Sequence, residues 1–166
     1  MNRMTNLLNP EVPPPAQSPV SLIVCRLKVE AALHQIGESP RVCGGSLLII
    51  EANDFFLHIS VSEVSLTNFM VTIHAYLGNV EDDPAAVVSY LETFEAGSEI
   101  TTEVLPDGLV RVRWEDSLGF EAFSEPIAAG FKKVSDAVGT LLPTLREVFF
   151  IPPAPERIHE WGTQQN

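Results

Sequence analysis

Residues 55–76 read FFLHISVSEVSLTNFMVTIHAY, and two alternations run through that stretch. Leu57, Ile59 and Val61 alternate with His58, Ser60 and Ser62; after a break, Phe69, Val71, Ile73 and Ala75 alternate with Met70, Thr72, His74 and Tyr76. A period of two sends successive side chains to opposite faces of a sheet, so each run reads as a strand with one dry face. Paired antiparallel, the dry faces match in a register with Ile59 opposite Ile73 and Val61 opposite Val71. That register sets His58 opposite His74 on the other face.

Upstream, Leu22, Cys25, Val29, Leu33 and Ile36 recur at three- and four-residue spacings. They lie between Ser18-Pro19, a capping hydroxyl with a first-turn proline, and Gly37, a left-handed exit, which predicts a helix over about Pro19–Ile36. Leu47-Leu48-Ile49-Ile50, ended by the turn pair Asn53-Asp54, predicts a strand ahead of the two above. Gly44-Gly45-Ser46 before it has no following lysine and leads into a strand, so it reads as a bulge or sheet bend rather than a phosphate cradle.

Downstream, Asp82-Asp83-Pro84 opens a second helix with Val87, Val88, Leu91 and Phe94 as apolar residues and Gly97 as its end. Ile100, Thr102 and Val104 then meet Val110, Val112 and Trp114 across the turn Leu105-Pro106-Asp107-Gly108. Aligning Val104 with Val110 sets Glu103 opposite Arg111 and Thr101 opposite Arg113. Ser124-Glu125-Pro126 caps a last helix whose seam is Ile127, Phe131, Val134, Val138, Leu141, Leu145 and Val148. Pro143 lies inside it, and the clash of its ring with the Gly139 carbonyl predicts a bend or break near Leu142.

The order is helix, three strands, helix, two strands, helix. Without βαβ alternation it predicts an α+β fold with an antiparallel five-stranded sheet. The first and last helices are expected to cover its apolar face through Leu22, Val29, Leu33, Phe131, Val138 and Leu145. A length of 166 residues suits one domain, placed at 18–150. Residues 1–17 hold four of the 13 prolines and read as a flexible leader; 151–166, opening on Pro152-Pro153-Ala154-Pro155, read as a proline-rich polar tail containing Trp161.

Charge narrows the function. Twenty-two acidic residues against 10 basic ones give a formal net charge of −12, which repels a phosphate backbone, so a nucleic-acid partner is not expected. Between Glu81 and Glu125 twelve acids face only Arg111 and Arg113, so this segment carries −10 of the total. It is either a solvated surface or a docking face for a basic partner. Met1–Val12 has no apolar run of signal-peptide length, and polar residues interrupt Val64–Val80, so neither secretion by that route nor a membrane span is expected. Cys25 and Cys43, without Cys-x-x-Cys spacing, read as buried free thiols in a cytoplasmic protein.

No Gly-x-Ser-x-Gly, His-Glu-x-x-His or cysteine beside a base occurs, so no catalytic residue and no cofactor is assigned. His58 and His74 are the one pair from which a metal site could be built, although spacing supplies no third ligand. The other reading of that pair is solvated or helix-covered imidazoles.

The stretch Val87–Leu145 combines a short helix, the strand Ser98-Glu99-Ile100-Thr101-Thr102-Glu103-Val104, a Pro-Asp-Gly turn, the returning Val110-Arg111-Val112-Arg113-Trp114, and a long amphipathic helix. It resembles the YbjN-like and type III secretion-chaperone-like superfamily. With the preceding helix and strands the likeness covers about Pro19 to Phe149, and the proline-rich leader and tail depart from it. The resemblance implies a small acidic cytosolic protein, often a homodimer, that binds a stretch of another polypeptide and performs no chemistry. It also points to the helix bearing Val87, Val88, Tyr90, Leu91 and Phe94 as the interaction surface, because that helix is apolar on more than one side. Two other classes stay open: a ligand-binding domain or small enzyme using the polar face near His58 and His74, and a structural subunit of a complex.

The Pro-Asp-Gly turn calls for positive φ at Gly108. Gly108→Val is expected to lower stability by about 1 kcal/mol or more, read as a lower denaturation midpoint; an unchanged midpoint excludes this turn.

Overall fold

The computed structural model describes residues 19–52, 54–94 and 99–154. The expected leader, Asn53 of the turn pair, Gly97, and the tail from Pro155 on, Trp161 included, lie outside the described residues. The elements are α1 (Pro19–Gln35), β1 (Arg41–Val42), β2 (Leu47–Glu51), β3 (Phe56–Glu63), β4 (Asn68–Asn79), α2 (Pro84–Thr93), β5 (Ile100–Val104), β6 (Leu109–Gly119) and α3 (Ser124–Glu147). The strands form one sheet in the order β1-β2-β3-β4-β6-β5, antiparallel at every step.

Side-chain parity sets the registers. Ile59 lies opposite Ile73, Val61 opposite Val71 and His58 opposite His74. In the β5–β6 hairpin Val104 meets Val110, Glu103 meets Arg111 and Thr101 meets Arg113. Gly108 turns that hairpin at φ 87, with its N–H donating to the Leu105 carbonyl at 2.8 Å. On the dry face Val29 and Leu33 of α1 and Val134, Leu141 and Leu145 of α3 are fully buried against Ile59, Val71, Ile73 and Val112. Leu22 and Phe131 pack on the same core while partly exposed. Between sheet and helix the Trp114 indole lies against the backbone of Gly130, where a Cβ would stand 2.6 Å from the ring.

Five expectations need correction. The sheet has six strands, because Arg41 and Val42 pair with Ile49 and Leu48. Two exposed residues carry no alternation, so the sequence shows no sign of β1. Gly44, at φ 128, belongs to the turn joining β1 to β2, closed by the Cys43 N–H on the Leu47 carbonyl at 3.0 Å, and is not a bulge. Of the bend or break expected near Leu142, the break does not occur: α3 runs through Pro143. Gly139 and Pro143 are both exposed and nothing stands within 4 Å of a Cβ at Gly139, so the carbonyl that loses its partner faces solvent, while Leu141 and Leu145 anchor the turns on either side. Its N-cap is Phe123, without a side-chain bond, and Ser124 is already helical. Of the cysteines, both free, Cys25 is buried and Cys43 only half-buried.

The packed chain also continues past residue 150. Ile151 and Ala154 are 3% and 6% exposed. Between them the Pro152 carbonyl passes over Gly78, where a Cβ would lie 2.1 Å from its oxygen, so only glycine admits the crossing.

Alanine in place of a helical glycine ordinarily stabilises by about 1 kcal/mol. At Gly130 the Trp114 ring reverses the sign, and Gly130→Ala is expected to cost about 1–3 kcal/mol in chemical denaturation. A raised midpoint would show that the indole does not rest there.

Candidate functional site

Two regions gather the residues of interest. The first is the sheet face opposite the core. Strand alternation places Phe56 and His58 of β3, Thr72, His74 and Tyr76 of β4, and Arg111 and Arg113 of β6 on it. The Tyr76 ring stands edge-on to His58 at 4.9 Å and to His74 at 5.9 Å, and its hydroxyl lies 3.4 Å from His74 Nδ1. Arg111 Nε donates to Glu103 Oε1 at 2.9 Å, and Arg113 pairs with Glu115. Burial, then Arg111, Arg113 and His58, push the His74 imidazole down to a pKa of about 3. Burial raises the Tyr76 phenol, with Arg111 opposing. Near neutral pH His74 and Tyr76 are therefore an uncharged hydrogen-bonding pair.

The two histidines meet as the pairing implied, but no third ligand joins them: among the described residues no group of three or more His, Cys, Asp and Glu could hold a metal ion. Two guanidinium groups beside them also disfavour a cation. His58, at 7% exposed, is not solvated; among the described residues the buried side chains of α1, α2 and α3 join the core on the other face.

The second region is α2. Asp83 caps it from a left-handed conformation at φ 47, its carboxylate accepting the Ala86 N–H at 3.2 Å, and Pro84 fills the first turn. Val87 and Leu91 are buried in this chain's own core, and Tyr90 and Phe94 pack partly against it. Of the five residues expected to form an interaction surface, Val88 is the exposed one, at 39%. Tyr90 also meets Phe149 with ring centroids 5.4 Å apart, bringing α2 alongside the end of α3.

There the chain turns through Phe150 at φ 54, which lets the Ile151 N–H reach back to the Leu145 carbonyl at 2.9 Å. Arg146 clamps the turn by donating to the carbonyls of Ile151 at 3.0 Å and Asp54 at 2.7 Å. Phe150 is 81% exposed and Val148 62%. Sequence reasoning passed over Phe150, because the prolines after it read as the start of a tail.

Comparison with known proteins adds two structures. No family model and no curated protein matches the chain. YbjN from E. coli, a candidate transcription regulator, is similar over 69% of this chain and 86% of its own, with 14% identity and a TM-score of 0.45. The heterodimeric ExoU-SpcU complex from the type III secretion system of Pseudomonas aeruginosa is similar over 69% of this chain and 94% of the matched one, with 13% identity and a TM-score of 0.42. Among the described residues no helix is long and apolar enough to cross a membrane.

Because the pKa of His74 is lower folded than unfolded, the unfolded chain binds that proton first. The stability His74 contributes is present above its ordinary pKa of 6.5 and is lost as pH falls from there toward 3. The His74 ring-carbon proton resonance is expected to stay at its neutral position from about pH 7.5 to 4.5, and His74→Gln to lessen the acid loss of stability. A ring signal with an ordinary histidine midpoint would refute the buried, arginine-flanked site.

Proposed function

We propose that this chain is a non-enzymatic protein-binding module, that it works as a homodimer through the α2 surface, and that it holds a polypeptide segment of a partner. The observation that carries this reading is Phe150. A bulky aromatic held at positive φ costs about 1–2 kcal/mol relative to glycine, yet it is left 81% exposed. Val148, two residues before Phe150, is exposed as well, and Val88 is exposed on α2, the helix whose Tyr90 meets Phe149, so both α2 and the close of α3 present apolar side chains to solvent. Asp82, Asp83 and Glu92 border it and belong to the segment that holds most of the net charge. Free Cys25 and Cys43 fit a cytoplasmic setting.

Two like-charged copies repel, and salt shortens the screening length to about 8–10 Å near physiological strength, so dimerisation should strengthen with salt. Sedimentation at low and high salt is expected to show that increase. Val88→Asp should leave a folded monomer, and Phe150→Gly should weaken the dimer while raising the denaturation midpoint of the fold. Leu91 is unsuitable for this test because it is buried in the core. A monomer at both salt concentrations, with mass and solubility unmoved by either variant, overturns this surface.

A further inference from the structure

Helix α3 closes with a turn that most chains build on glycine. The Val148 N–H bonds the Thr144 carbonyl at 2.9 Å, the chain passes through Phe150 at φ 54, and the Ile151 N–H returns to the Leu145 carbonyl at 2.9 Å. A left-handed residue, a bond reaching back six residues and an apolar anchor after it make a standard helix end, and glycine suits the left-handed place because it has no Cβ. Ile151, 3% exposed, is the anchor, in the same core as Leu145. A phenylalanine in the glycine place needs holding by something more.

Arg146 supplies the hold. Its Nη1 donates to the Ile151 carbonyl at 3.0 Å, just beyond Phe150, and its Nη2 to the Asp54 carbonyl at 2.7 Å. Asp54 lies in the connection between β2 and β3, which the Ala52 N–H closes on the Phe55 carbonyl at 3.1 Å. One guanidinium thus ties the residue after Phe150 to a turn 92 residues before Arg146. The Ile151 peptide groups are both engaged, its N–H by α3 and its carbonyl by Arg146, while on the other side the Phe149 ring rests against Tyr90. The main chain is fixed on both sides of Phe150, and the Phe150 side chain is left outside. A cation in the last turn of a helix also favours the macrodipole. Lysine would serve that purpose equally, but its single ammonium lacks the planar fork that reaches two carbonyls from two nitrogens.

We propose that Arg146 is the positioning residue of the Phe150 surface: its two carbonyl bonds set the pose in which Phe150 is presented and make that surface depend on the β2–β3 turn. The proposal rests on the reading of Phe150 as part of the dimer contact.

Arg146→Lys and Arg146→Gln in the full-length chain test it, since the first keeps the charge without the fork and the second keeps neither. In both, the Ile151 amide is expected to exchange about ten-fold faster and the Asp54 and Phe55 amide resonances to shift. The dimer dissociation constant, read by sedimentation, should rise about ten-fold. In a Phe150→Gly chain, where glycine takes the left-handed turn unaided, neither variant should weaken the dimer further. A lysine variant that keeps both the dimer and the Ile151 protection would reduce Arg146 to a helix-end charge and overturn the proposal. So would a lower denaturation midpoint with dimer and Ile151 protection unmoved, the mark of a prop for the fold alone. Equal weakening with and without Phe150→Gly would also overturn it, because Arg146 would then act elsewhere than through Phe150. If Phe150→Gly weakens the dimer and the Arg146 variants do not, this proposal fails alone; if Phe150→Gly does not weaken it either, the dimer surface fails with it.

Discussion

β4 is bonded on both sides, to β3 and to β6, and its side chains Phe69, Val71, Ile73, Ala75 and Leu77 are all buried on one face. A one-residue slip against either neighbour would turn those five toward the polar face and press Met70, Thr72, His74 and Tyr76 into the core. The rest of the molecule depends on that parity. Ile73 opposite Trp114 puts the indole under α3, and the indole in turn requires Gly130. The same parity faces the imidazoles of β3 and β4 toward each other on the other side.

Where one side of an element is dry and the other wet, its sequence says so. That is why the β3–β4 and β5–β6 registers, and the meeting of His58 with His74, were legible before any coordinates. β1 was not, because its two residues are exposed and are held by main-chain pairing and by Arg41 donating to Glu51 at 2.8 Å. In α2 the apolar residues spread over more than one side, and composition cannot say which of them the chain's own core takes. The core takes Val87 and Leu91 and leaves Val88 out. The break allowed for at Pro143 does not occur, because a proline's clash is judged locally, whereas the buried leucines flanking it decide whether the helix continues.

The two faces of the sheet are built on different physics. One is hydrocarbon between strands and helices. The other mixes imidazole, phenol and guanidinium, with Arg111 held by Glu103 and Arg113 by Glu115, so its charges are matched locally although the surrounding segment is strongly acidic. A buried polar layer costs more than it returns unless its members satisfy one another, and it therefore restricts what can rest on it more narrowly than an oily surface would.

β4 and β6 touch in space but not in sequence, since α2 and β5 lie between them. The hairpins β3–β4 and β5–β6 each close over a short connection, whereas joining them requires closing a long one, which makes that junction the entropically costlier closure in the sheet. Once the loop is closed, lengthening it is cheap, at about 0.6 kcal/mol for each doubling. The connection between α2 and β5 is accordingly where this architecture can accept insertions and change its outer surface while the ladder beneath it stays the same.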